Sequence, residues 1–237
     1  MTDEATTTPP SLTDWMVERV RRAILFGEVQ SGERLIISDW SARFGVSQTP
    51  MREAIQRLAA EGFLDYDAQR GARVAALSLR DAREIYQIRI QLEPSAVESS
   101  VDARTDRWLA ELTGAYTMID DLYEAADGLQ AGAVEAHRAF HRVMRAGCES
   151  AWLLRITDML ADQSTRMQYA SFNARGGKRA AREEHRRLFE AAAAGDAKGA
   201  AELSAAHLQR TLDVLQLAPD PATAAAPVVP SRKRSLA

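Results

Sequence analysis

The chain has 237 residues, 46% hydrophobic and 27% charged, with a formal net charge of −3. It holds no apolar run of about eighteen residues, and its acidic, proline-containing start has no apolar core, which argues against a membrane span and a signal peptide. A single cysteine, Cys148, excludes an intramolecular disulfide framework and predicts a reducing, cytoplasmic location. Between Ser11 and Ser78 nine arginines face nine acidic residues, so bulk charge does not announce a nucleic-acid partner and the patterning must be followed along the chain.

Residues 1–10 are polar and aperiodic and predict a disordered arm; residues 218–237, rich in Pro and Ala and ending in Ser231-Arg232-Lys233-Arg234, predict a disordered tail. Met16, Val17, Val20, Ile24 and Leu25 recur at helical spacing, with Ser11 or Thr13 as a cap, and Gly27 ends that helix. A short helix follows over Asp39 to Phe44, with Ser38 as its N-cap and Gly45 as its stop. Thr49 caps a third helix, with Pro50 at its first helical position, whose apolar face is Met51, Ala54, Ile55 and Leu58, closing at Glu61-Gly62. Two strand-like runs, 63–66 and 72–75, flank a turn at 67–71. Three helices with a sharp turn between the second and third, then a hairpin, predict a winged helix-turn-helix over residues 11–77. From Ser78, where Ser78-Leu79-Arg80-Asp81 has the form of a capping box, helical periodicity predicts segments at 80–101, 105–126, 130–146, 151–174, 178–194 and 196–216. The fold class is therefore mainly α: the winged helix plus an all-α, six-helix antiparallel bundle over 78–217, with Phe140 and Trp152 expected in its core.

In a helix-turn-helix the second of the paired helices enters the major groove. That places Gln48, Thr49 and Arg52 toward DNA, with Ser47 beside phosphate and Arg57 further along the same helix. Arg52 has the fork for guanine or phosphate, and Gln48 the bidentate geometry for adenine. At the wing, Arg70 and Arg73 flank Gly71, where a glycine lets the backbone approach the duplex. The plainer alternative makes Arg52 and Arg57 surface charges paired with Glu53 and Glu61. The runs Gly32-Glu33-Arg34-Leu35, Ser38-Asp39-Trp40-Ser41-Ala42-Arg43-Phe44-Gly45-Val46-Ser47-Gln48-Thr49-Pro50-Met51-Arg52-Glu53-Ala54 and Leu58-Ala59-Ala60-Glu61-Gly62 resemble the DNA-binding domain of GntR-family regulators. The resemblance implies DNA contact at Arg52, Thr49, Arg70 and Gly71 and a phosphate contact at Ser38. Where that family usually has an arginine after the Val-Ser pair, this chain has Gln48, so its operator preference is expected to differ.

All four histidines, His137, His141, His185 and His207, fall in the helical segment. His137 and His141 are four apart and share a helix face, as a metal site requires and as an ordinary surface or core pair would also do. The runs Arg89-Ile90-Gln91-Leu92-Glu93-Pro94, Phe140-His141, Glu184-His185-Arg186-Arg187-Leu188 and His207-Leu208 resemble the FCD-type ligand-binding domain of the FadR subfamily. Metal-binding members of that family use an Asp and three histidines, which implies a site made of His141, His185 and His207 with His137 at the Asp position. Such an all-nitrogen set suits Zn, Ni, Cu or Fe(II), and losing the carboxylate leaves the site more positive and favours an anionic effector. Arg89 is a candidate carboxylate clamp or a salt-bridge partner of Glu93; Arg166, Tyr169 and Asn173, at helical spacing, are further candidate effector contacts.

Two function classes follow. The first is a ligand-responsive transcriptional regulator, a homodimer on a pseudo-palindromic double-stranded DNA operator, with a small organic acid as effector and repression as the expected mode. The second is a metal-dependent hydrolase using the histidines, with Glu184 as base; it leaves the first 78 residues unexplained.

Overall fold

The computed structural model describes residues 11–67, 71–76, 78–124, 131–172 and 177–217. The arm at 1–10, the tail at 218–237, Arg70 and Asn173 lie outside the described residues, as do the side chain of Tyr169 and the tip of the wing. The order of elements is α1 (Leu12–Leu25), β1 (Arg34–Leu35), α2 (Ile37–Phe44), α3 (Gln48–Ala60), β2 (Leu64–Asp67) and β3 (Gly71–Val74). Six helices follow: α4 (Leu79–Asp102), α5 (Asp106–Glu124), α6 (Ala131–Ala146), α7 (Ala151–Phe172), α8 (Gly177–Ala194) and α9 (Ala197–Leu217). The winged helix-turn-helix and the six-helix domain are thus both present, and each helix of the second domain begins and ends within two residues of its expected place.

Local chemistry explains most boundaries. Ser11 and Ser78 each accept from the N3 backbone N–H while Asp14 and Asp81 accept from the cap backbone, so both long entries are reciprocal capping boxes. Gly45 ends α2 with φ at 66°, a left-handed conformation that glycine adopts without a Cβ penalty. Two caps differ from expectation. Ile36, not Ser38, stands at the head of α2, with its carbonyl accepting from the N–H groups of Asp39 and Trp40, while the Ser38 hydroxyl donates to Asp39 at 3.0 Å. Ser47, not Thr49, heads α3, which puts Gln48 and Thr49 inside the helix. The cause of the earlier start of α2 is β1, a strand not expected from the pattern. Leu35 pairs with Ala72 and Arg34 with Arg73, so the sheet runs β1-β3-β2, all antiparallel.

The winged-helix core packs Met16, Val20, Met51, Ile55, Leu58 and Phe63 against Leu35, Ala72 and Val74. In the helical domain Phe140 joins Leu112, Met144 and Leu188 in the core as expected. Trp152 does not: it is 70% exposed at the start of α7, with the Arg155 guanidinium 4.8 Å from its ring centroid. Its size argued for burial, but its face of α7 is uncovered within one chain, and Ile156 and Met159 are exposed one and two turns on.

The two domains meet at α7. Gln163 donates through Nε2 to the Glu61 carbonyl at the end of α3 (2.6 Å), and Arg166 donates to the Ala75 carbonyl just after β3. Arg21 of α1 bonds the Glu61 carboxylate at 2.5 Å, and the Arg21 and Arg166 guanidinium carbons lie 5.6 and 5.8 Å from the Phe63 ring. No helix among the described residues is long and apolar enough to cross a membrane. Leu58→Ala, which empties a fully buried site between α3 and α1, is expected to cost about 2–5 kcal/mol, read as a lower urea midpoint with an unchanged slope.

Candidate nucleic-acid interface and metal centre

On α3 the buried stripe of Met51, Ala54, Ile55 and Leu58 turns the opposite face outward. Ser47, Gln48, Thr49 and Arg52 are all exposed there, and Arg52 donates to the Gln48 side-chain oxygen at 3.3 Å, so the two base-reading candidates form one unit. Ser38 is exposed in the first turn of α2. Gly71 has φ at 82° and opens β3, and a Cβ there would meet the Arg34 guanidinium at 3.5 Å. Arg73 is exposed between buried Ala72 and Val74, and it donates to the Gly32 carbonyl at 3.1 Å. Arg57 is placed differently: it pairs with Asp14 of α1 at 2.5 Å, not with Glu53 or Glu61, and so braces the helix against α1. That contact and two from Ser11 hold the Asp14 carboxyl down at about 2, the Ser11 hydrogen bond contributing most.

The four histidines come together. Their ligand-type nitrogens all lie within 4.8 Å of one another, from α6, α8 and α9. Two rings are oriented from behind. His185 Nδ1 is 2.6 Å from the Ala181 carbonyl oxygen, which can only accept, so Nδ1 carries the proton and Nε2 offers a lone pair. His207 Nδ1 is 2.8 Å from Glu184 Oε2, and Arg210 bonds the other oxygen of that carboxylate. His141 Nε2 stands 3.1 Å from His185 Nε2 and 3.2 Å from His137 Nε2. A neutral imidazole has one N–H, so His141 satisfies at most one of these neighbours and lone pairs are left converging. A tetrahedral ion with bonds of about 2.0–2.1 Å separates its nitrogens by roughly 3.3 Å, which these spacings fit. Burial, reinforced by neighbouring positive charge, holds His137, His141 and His185 well below the ordinary imidazole value. They are neutral at neutral pH, the state in which imidazole ligates. The carboxylate–histidine contact at His207 and the carbonyl contact at His185 are the outer-shell partners that metal-bound imidazoles use.

Beside the cluster is a cavity walled by Arg89, Arg138, Arg142 and Arg145 together with His137, His141, Asp158, Asp162 and Thr165. It leaves about 20 Å³, room for one water-sized guest. Arg89 is held by Glu93 at 2.5 and 3.2 Å and by Ser164 at 2.5 Å, and Arg145 by Glu93 at 3.3 Å and Asp158 at 2.7 Å. Burial alone would raise the Glu93 carboxyl, but the Arg89 and Arg145 charges hold it below its ordinary value. Arg138 is bound to Asp162 at 2.6 Å, whereas Arg142 is exposed and has no ion-pair partner among the described residues.

Comparison with known proteins decides the class. Residues 12–74 match the bacterial regulatory proteins of the gntR family and residues 84–210 the FCD domain. An "Uncharacterized HTH-type transcriptional regulator BphR" of Paraburkholderia xenovorans (strain LB400) is 31% identical over 215 residues, 87% of this chain and 86% of that one. This chain belongs to the GntR family. The "HTH-type transcriptional repressor GlaR" of Escherichia coli (strain K12) is 28% identical over 209 residues, covering 84% of this chain and 93% of that one. Among solved structures, E. coli McbR/YncC shares the fold with a TM-score of 0.78 at 24% identity, covering 88% of this chain and 99% of that one. A putative GntR regulator from Rhodococcus sp. RHA1 gives 0.74 at 23%, covering 89% and 100%.

The GntR chain is thus a DNA-binding transcriptional regulator with an FCD domain, and the proteins it resembles are regulators rather than enzymes. Glu184, the base of the hydrolase alternative, is engaged by His207 and Arg210 and directs its carboxylate behind the cluster. Of the effector candidates, Arg89 lines the cavity but is also the salt-bridge partner of Glu93, while Arg166 faces the domain junction instead. Arg138, Arg142 and Arg145 were missed. Their signal was present, since each lies one to four residues from His137 or His141 along the same helix. Arg34, beside the wing glycine, was also missed because its strand depends on long-range pairing.

The neutral histidines carry a pH prediction. Unfolded, each takes up a proton near pH 6.5; folded, burial defers that uptake to well below 6.5. Between those values the unfolded chain binds more protons, so metal-free protein holds this stability fully above pH 6.5 and loses it as pH falls below. Urea unfolding in chelator from pH 7.5 to 5.5 is expected to show a slope approaching about 4 kcal/mol per pH unit, reduced by about a third in His141→Gln.

Proposed function

We propose that this GntR regulator is a metal-assisted sensor of a small organic acid that represses transcription from a pseudo-palindromic operator as a cytoplasmic homodimer. The observation that carries the sensing half is the convergence of four imidazoles beside an arginine-walled cavity. Neutral nitrogens leave a divalent ion's charge uncancelled, and Arg142 stands exposed at the cavity wall, so the site favours an anion. His137, His141, His185 and His207 would hold the metal, zinc first among Zn, Ni, Cu and Fe by ligand type. When bound, the ion would supply uncancelled positive charge beside the cavity that attracts a carboxylate, while Arg142 and its neighbours supply hydrogen bonds. The reading half is Gln48 and Arg52 on α3, with Ser38, Ser47, Thr49, Gly71 and Arg73 as contacts to the DNA backbone and Arg70 included by its place in the sequence next to Gly71. A homodimer accords with exposed Trp152, Ile156 and Met159 on α7, apolar surface of the kind a second copy covers, and with the paired half-sites that helix-turn-helix proteins use.

Two measurements test this. In a mobility shift on the DNA upstream of its own reading frame, Arg52→Ala is expected to weaken the specific complex by about 1–3 kcal/mol; absence of any specific complex with the unmodified protein defeats the regulator reading. Zinc at a hundredfold over its Kd is expected to stabilise the chelator-stripped protein by about 2.7 kcal/mol, and His141→Ala to abolish the gain; equal gains in both proteins defeat the metal reading.

A further inference from the structure

The cavity and the winged helix share one carboxylate. Asp162 lines the cavity, where its Oδ1 is bound by Arg138 at 2.6 Å. Its Oδ2 lies 3.9 Å from Arg21 Nε, on α1 of the DNA-binding domain. That distance is too long for a hydrogen bond, and Arg21 Nε is buried with no hydrogen-bond partner among the described residues. A buried donor left unpaired is costly, so a small shift of Asp162 toward Arg21 would be favourable were it not for Arg138. Arg21 in turn holds Glu61, which closes α3, and packs over Phe63 at the root of the wing.

The space available sharpens the point. At about 20 Å³ the cavity admits one water-sized guest, whereas an organic anion needs more. To enter, an anion must displace part of the wall, and the paired arginines differ in how firmly they are held. Arg89 and Arg145 are anchored to buried Glu93 and further acceptors, at 3% exposure each. Among the paired arginines Arg138 has the fewest holds, with Asp162 as its close partner and Glu18 at 4.0 Å, while exposed Arg142 can meet the anion without leaving an ion pair.

We propose that Asp162 is a two-position acceptor that couples the cavity to the reading head: an anion in the cavity takes Arg138, and Asp162 then closes on Arg21 and tightens α7 against α1 and the end of α3. This rests on the reading of the cavity as the effector site and adds how its occupancy reaches DNA. Glu18, bonded to Arg21 at 3.0 Å, moves with α1 and stays paired in both positions.

The test is amide hydrogen exchange on the full chain, read at residues 18–25 and 58–64. Arg138→Gln, which frees Asp162, is expected to slow exchange there by about tenfold, the equivalent of one charge-assisted hydrogen bond, whereas Asp162→Asn is expected to speed it. Sodium malonate, against chloride at equal ionic strength, is expected to slow the unmodified protein and to leave Arg138→Gln unchanged. Arg182→Gln, at a pair between α8 and Asp120 of α5 that involves neither α1 nor α7, serves as the control for lost surface charge. If Arg138→Gln and Asp162→Asn both speed exchange, the network is a plain brace and the switch is overturned, while malonate protection elsewhere in the cavity would leave the effector reading intact. If the variants behave as expected but malonate changes nothing, the anion trigger is overturned and the effector reading falls with it.

Discussion

The helical domain depends on one buried carboxylate. Glu93 of α4, 2% exposed, is shared by Arg89 of the same helix and Arg145 of α6, and Arg145 reaches on to Asp158 of α7. Buried ions are costly unless every partner is in place, and removing one partner of such a set costs about 3–5 kcal/mol. The set therefore permits little sliding of α4, α6 and α7 past one another. It fixes the height of α6, and with it the positions of His137 and His141, which lie on the same helix one to two turns before Arg145. An apolar core could hold these helices together as tightly, but a charged triad specifies their register.

The cluster of imidazoles is made possible by that register and by the shell behind it. Four rings packed together cannot all be charged, and burial keeps at least three of them neutral. Negative charge is present but set back: Glu184 lies behind His207 and Glu93 behind the arginine wall. Burial works against the Glu184 carboxyl, yet its bonds to His207 and Arg210 hold it below its ordinary value, so it remains an acceptor that fixes the ring. Were a metal held there, its donors would all be nitrogen, a softer and less charged set than one containing a carboxylate.

What could be read from sequence divides along a physical line. Features set by neighbours a few residues away were legible: the capping box at Ser78, Gly45 as the stop of α2, the buried stripe of α3 and the pairing of His137 with His141 on one face. Features set by distant partners were not. The start of α2 follows from Leu35 pairing with Ala72, and Arg57 finds Asp14 forty-three residues away rather than its helical neighbours. Trp152 shows the same limit from the other side, since its apolar bulk predicts burial but says nothing of whether a single chain supplies the cover. The meeting of His185 and His207 with the α6 pair came from family resemblance, because no local pattern links three helices.

One helix belongs to both halves of the molecule. On one face α7 gives Asp158, Asp162 and Thr165 to the cavity; on the next it gives Gln163 and Arg166 to the end of α3 and the end of the wing. The junction it makes is polar, built from guanidinium, carboxylate and amide groups around Phe63. Contacts between domains of this kind are traded more readily than apolar packing, because each group lost finds a replacement acceptor or water at small net cost. An apolar junction of equal area would lock the winged helix in one pose. A polar junction sharing its carboxylate with the cavity wall lets chemistry in the bundle be felt at the end of the recognition helix without unfolding either domain.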